Sequence, residues 1–155
     1  MSNRSLDAID AKIVRELQLD ARITNVELSE RVGLSPTPCL RRIKALEKSG
    51  VIKSYTALVD ESAVGLPVSV FVSVSLERQI EPALELFEAQ IQGQPEILEC
   101  YLMTGDSDYL LRVVTSDLMA YERFLKQHLT RIPGVANIRS SFSLKQVIHR
   151  TTLPL

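Results

Sequence analysis

With only two cysteines, two histidines and no tryptophan, this 155-residue chain is poor in the side chains that usually ligate metals or attack substrates. Cys39 and Cys100 stand far apart with no CxxC, and His128 and His149 complete no zinc spacing. Neither a metal site nor a disulfide framework is expected. No P-loop, GxGxxG or nucleophile elbow occurs, His128 falls on the apolar side of a helical period, and His149 lies in the tail. Tyr101 and Tyr109 sit in strand-like runs as packing residues, so no catalytic set converges and no enzyme is expected. No run approaches the ~20 apolar residues of a membrane helix. Met1 to Asp10 lacks the apolar core of a signal peptide, so a cytoplasmic protein is expected.

A charge of one sign is also scarce overall, with net −1, but the balance is uneven along the chain. Residues 1–60 hold ten Lys/Arg and eight Asp/Glu, and the remainder eight and eleven. Between Ser35 and Lys53 there are five basic residues (Arg41, Arg42, Lys44, Lys48, Lys53) against Glu47 alone. Nucleic-acid binding depends on such a local patch more than on overall pI.

Six glycines mark where apolar periods stop. A first helix is predicted from about Leu6 to Leu19, with Leu6, Ile9, Ile13 and Leu17 on one face and Asp7 and Asp10 in its first turn. Thr24 and Glu27 form a T-x-x-E capping box for a second, short helix ending at Gly33. Ser35 as N-cap and Pro36 at the first helical position open a third helix that runs to Ser49. Three helices with a tight Gly33-Leu34 connection make a helix-turn-helix pattern. Val51 to Asp60 reads as one or two strands of a β-wing, and Asp60 to Pro67 as the connection to the next domain.

From Val68 the apolar period becomes two, through Val70, Val72, Val74 and Leu76. A helix after Pro82, strands Glu96–Met103 and Tyr109–Thr115 around Thr104-Gly105-Asp106-Ser107, a helix capped by Asp117 and a strand from about Val135 to Val147 complete the chain. The order β-α-β-β-α-β is that of the ferredoxin-like split βαβ unit. The fold class is α+β: a winged helix-turn-helix head at 1–60, a linker at 61–67 and a βαββαβ body at 68–155.

On the third helix, Thr37, Arg41, Lys44 and Lys48 share a narrow arc, while Leu40, Ile43, Leu46 and Cys39 are assigned to the opposite, docked side. A recognition helix needs this division, because it enters the major groove while anchored from behind. Arg41, Arg42, Lys44 and Lys48 suit phosphates and bases, and Ser35 and Thr37 at the helix N-terminus suit phosphate or base contacts. A solvated basic face without a partner is the bland alternative, which the tri-helical context disfavours. In the body, the N–H groups of the Gly105 turn could hold a carboxylate and Asp106 and Asp108 an ammonium, the two ends of a free amino acid. A plain hairpin turn remains the alternative for that segment.

The run Thr24-Asn25-Val26-Glu27-Leu28-Ser29, then Val32-Gly33-Leu34-Ser35-Pro36-Thr37-Pro38-Cys39, with Leu46-Glu47, Gly50-Val51-Ile52 and Tyr55-Thr56-Ala57, resembles the head of Lrp/AsnC-type bacterial regulators, the leucine-responsive or feast/famine family. Glu99-Cys100-Tyr101-Leu102-Met103-Thr104-Gly105-Asp106 and Arg139-Ser140-Ser141-Phe142 resemble the branch related to branched-chain amino-acid regulation. The resemblance implies an ACT-like regulatory body that forms dimers and assembles into octamers or larger discs, and a nucleoid-associated DNA-binding regulator without a cofactor. It implies an amino-acid effector, leucine or another apolar one, held between bodies by Thr104, Gly105, Asp106 and Asp108. Leu102 and Leu118 would shape the apolar end, with Ser141 and Ser143 on the last strand. Apolar side chains of the Val68–Leu76 strand are expected to supply surface for assembly. Two competing expectations are an effector-independent architectural DNA binder and a metabolite-binding assembly protein that does not bind DNA.

Overall fold

The computed structural model describes residues 6–155. These form two compact units: residues up to Leu58 together with Val147–Leu155, and Val59–Gln146. The first five residues of the expected head lie outside the described residues.

In the first unit, α1 (Ala8–Leu19) begins where the Asp7 carboxylate accepts from the backbone N–H groups of Ile9 and Asp10, at 2.9 and 2.7 Å. Asp7 is therefore the cap and not a first-turn residue, and it satisfies donors that a helix start leaves unpaired. α2 (Asn25–Val32) carries the reciprocal Thr24–Glu27 capping box. Gly33 closes it with φ 75°, a left-handed conformation suited to glycine, and the Leu34 N–H then reaches back to the Ser29 carbonyl at 2.8 Å. That turn sends the chain directly into α3 (Pro36–Lys48). Ile13, Leu28 and Cys39 are fully buried between the three helices, with Val14, Val32 and Leu46. Burying each aliphatic side chain stabilises the head by about 1.5–3 kcal/mol. Residues 147–155 lie along α1: Arg15 donates twice to the Leu155 main-chain oxygen, and Gln18 exchanges hydrogen bonds with the Leu153 backbone.

The wing expected at 51–60 does not form strands. Ile52 packs into the head, but the segment beyond it is exposed and without regular structure, and no second strand lies beside it among the described residues to complete a ladder. Asp60 caps a turn through Ser62 and Ala63, and Glu61 holds Arg112 of the sheet at 2.5 Å.

The second unit orders β1 (Val68–Leu76), α4 (Glu81–Ile91), β2 (Ile97–Leu102), β3 (Tyr109–Thr115), α5 (Leu118–Gln127) and β4 (Val135–Phe142). All neighbours in the sheet β2-β3-β1-β4 are antiparallel, the ferredoxin-like arrangement. Val70, Val72 and Val74 face Phe87 and Ile91 of α4 and Tyr121 and Phe124 of α5. The apolar side of β1 is thus consumed by the chain's own helices, contrary to the expectation that it serves assembly. What β1 leaves outward is Ser69, Phe71, Ser73 and Ser75. The last strand ends at Phe142, earlier than its apolar pattern suggests.

The caps give the head a defined response to acid. Hydrogen bonds from the Asp10 backbone and then from Arg42 hold the Asp7 carboxyl below its ordinary 3.8, and bonds from Thr24 hold Glu27 below 4.5. Both pKa values are lowered by folding, so the stabilisation is present above the ordinary values and is lost as pH falls through the folded ones. Melting followed by circular dichroism should be nearly flat from about pH 7 to 5 and fall below about pH 4. Asp7→Asn keeps a capping oxygen but removes the charge, and it should blunt that fall; an unchanged acid profile would place the effect elsewhere.

Candidate functional site

Two surfaces carry chemistry, one in each unit. In the first unit α3 presents its flank. Ser35 caps α3 geometrically without a side-chain cap bond, and Ser35, Thr37, Arg41, Lys44 and Lys48 are all exposed. Among the described residues none of these three cations makes an ion pair. Arg42 is placed differently. Its guanidinium lies 2.6 Å from Asp7 and 2.7 Å from Asp10, and the Asp10 side chain is only 5% exposed. At 3.6 residues per turn, Arg42 stands about 140° from Thr37, so helix geometry turns it away from the arc. Its work is to bolt α3 to the start of α1. Asn25 adds a second bolt, donating to the Pro36 carbonyl at 2.8 Å. The same geometry corrects the placement of Leu40: it lies about 60° from Thr37, beside the basic arc and not opposite it, and is 42% exposed.

In the second unit the Thr104–Ser107 turn projects from a rigid frame. Gly105 takes φ 116°, a region that disfavours side-chain-bearing residues. The Met103 N–H donates to the Asp108 carbonyl and the Asp108 N–H to the Val74 carbonyl. Asp108 itself is 4% exposed. One carboxylate oxygen accepts from the Leu76 N–H at 2.6 Å and the other from the Gln79 amide. Its carboxylate holds the end of β1 and is almost wholly shielded from solvent. Next to it, the Tyr109 ring stacks on Phe87 with centroids 4.5 Å apart, and its hydroxyl donates to Glu88. Burial and that carboxylate push the phenol pKa up, so it stays protonated. Thr104, Gly105 and Asp106 remain exposed at the tip.

The remaining expected effector residues do not gather at this turn. Leu118 follows the far end of β3, about 20 Å along the strand from Tyr109 at 3.4 Å per residue. Ser141 sits opposite Phe71, and Ser143 donates its N–H to the Ser69 carbonyl, both toward that same far end. Leu102 instead lines a cavity of about 420 Å³ between α4 and the edge strand β2, with Glu88, Ile91, Ile97, Cys100 and Tyr109. Desolvation and then Glu88 push the Cys100 thiol up to about 11, so it is not a thiolate at neutral pH. Sequence reasoning missed that Arg42 points off the arc and that Leu40 lies beside it, although the 100° step per residue contained both; it had no signal for the Arg42 bolt or the Asp108 latch.

The Asp108 geometry makes a direct prediction. Asp108→Ala orphans the Leu76 N–H and should lower stability to urea by about 1–3 kcal/mol. Asp106→Ala should stay within about 0.5 kcal/mol. Equal effects would contradict the latch.

Both units have counterparts among known proteins. Residues 6–53 match the family model for a winged helix-turn-helix DNA-binding domain, and residues 69–153 match that for the Lrp/AsnC ligand binding domain. The chain is 50% identical to the Bkd operon transcriptional regulator of Pseudomonas aeruginosa, covering 97% of this chain and 98% of that one. It is 45% identical to the leucine-responsive regulatory protein of Escherichia coli K12, over 93% and 88% of the two chains. A solved transcriptional regulator of Neisseria meningitidis in complex with L-methionine superposes with a TM-score of 0.91 at 45% identity, covering 97% of each chain.

Proposed function

Because the chain belongs to the Lrp/AsnC family of transcriptional regulators, and so is a DNA-binding protein that answers an amino-acid effector and not an enzyme, we propose which residues do each part of that work. The observation that carries the DNA reading is the bare basic arc of α3, exposed while the rest of the helix is bolted from behind. Ser35, Thr37, Arg41, Lys44 and Lys48 contact phosphates and base edges, and Arg42 fixes the angle at which they arrive. The DNA-binding region is 1–60 and the effector-binding and assembly region follows the 61–67 connection. One head spans one major groove, so we infer at least a two-fold homo-oligomer on paired half-sites, with octamers as the larger assembly.

For the effector, Thr104, Gly105 and Asp106 form the polar end of the site: backbone N–H groups for the carboxylate and Asp106 for the ammonium. Leu102, two residues before the turn, would bring the rim of the α4–β2 cavity to the ligand as its apolar contact. Leu118, Ser141 and Ser143 lie at the opposite end of the sheet and reach the same ligand only from a second copy. Asp108 holds the turn in shape and touches no ligand. An apolar amino acid, leucine or methionine, is the ligand class, supported by the names of the relatives. Such a ligand changes DNA binding only through its different affinity for two arrangements of the assembly.

Both halves are open to measurement. Arg41→Ala/Lys44→Ala should leave the melting temperature unchanged, weaken duplex binding, and lower the slope of log K against log salt by about 0.9 for each phosphate no longer neutralised. Binding that survives the double change would remove α3 from the interface. In a thermal-shift series across the twenty amino acids, apolar members should raise the melting temperature of the wild type as their concentration rises. Asp106→Ala should not respond. A flat series for the folded wild type would instead support an effector-independent DNA binder.

A further inference from the structure

Leu40 is a large apolar side chain at the edge of the basic arc on the outward flank of α3, 42% exposed, and it belongs to neither the head core nor the residues packed against it. Single exposed leucines are ordinary on protein surfaces; its position is what separates this one. It follows Thr37 by three residues and precedes Lys44 by four, so the three side chains form one continuous strip, with Arg41 beside it. A helical side chain leans toward the N-terminus, which puts the Leu40 methyls over the Thr37 turn. That is the half of a recognition helix that approaches base edges.

We propose that Leu40 reads the C5-methyl group of a thymine in each half-site, an inference that rests on the assignment of α3 to the major groove. An isobutyl group can neither hold a phosphate nor hydrogen-bond a base edge. The apolar feature that the major groove offers is the thymine methyl, which distinguishes thymine from cytosine by contact alone. Lys44 and Arg41, beside it on the same flank, draw the helix onto the phosphates, so the leucine loses its water as the complex forms. Arginine and lysine alone would favour any duplex, or guanine edges; Leu40 adds a preference at a base that they read poorly.

The test uses full-length protein and duplexes enriched by it from a random pool. Each thymine of an enriched duplex is replaced in turn by deoxyuridine, which removes only the methyl group, and binding is followed by fluorescence anisotropy at fixed salt. The wild type should weaken about fourfold at one thymine per half-site, the value of one buried methyl group. Leu40→Ala should be insensitive to that same replacement, with its salt slope and melting temperature unchanged. Leu40→Met, which keeps an apolar tip, should retain the sensitivity. Equal losses in wild type and Leu40→Ala at every thymine, or no loss in the wild type, would overturn the assignment. If the wild type enriches no duplex at all, the DNA reading fails and takes this inference with it.

Discussion

The alternation of valine and serine along β1 is the constraint on which the body depends. β1 is paired on both sides, by β3 and β4, so its register sets that of the whole sheet. Because side chains alternate, Val70, Val72 and Val74 decide together which face receives α4 and α5; a one-residue slip would send all three to the other face. The Gly-Asp turn inherits its position from this. Its base is hydrogen-bonded to Val74 and Leu76 at the end of β1, so the tip is exposed but its frame is as fixed as the central strand.

The head solves a similar problem with charge. The three-helix core is small, with Ile13, Leu28 and Cys39 fully buried and Val14, Val32 and Leu46 around them. Arg42, held between Asp7 and Asp10, adds a directional constraint at the rim. Removing one partner of such a group leaves a poorly solvated charge, and for that reason it specifies geometry more than it adds stability. Asp7 does two things at once: one oxygen caps α1 and the other holds Arg42.

Arg42 and Asp108 share a lesson about functional residues. Each has the right chemistry for a ligand, a cation near DNA or a carboxylate near an ammonium, and each is already satisfied inside the fold. Among the described residues, Arg41, Lys44 and Lys48 in the head make no ion pair, and Gly105 and Asp106 in the body stand exposed at the tip of their turn. Residue type nominates a group, and its hydrogen-bond partners decide whether it is free.

The sequence by itself determined the two-part plan. Capping signals at Thr24 and Ser35, glycine at Gly33, and the change of apolar period at Val68 are local, and local patterns need no knowledge of distant neighbours. It also held the helix arithmetic that puts Arg41 and Lys44 on one arc. Only the tertiary structure decided the rest. Val51–Asp60 has strand-like residues, but a strand exists only where another lies beside it, and none does among the described residues. Asp108 and Leu76, or Arg42 and Asp7, are separated by some 30 residues, and no periodicity relates them. Leu118, Ser141 and Ser143 were grouped with Thr104 by resemblance, yet the antiparallel register places them at opposite ends of one sheet. Pairing across such sequence distances is set by how the chain closes on itself, which local chemistry constrains but does not encode.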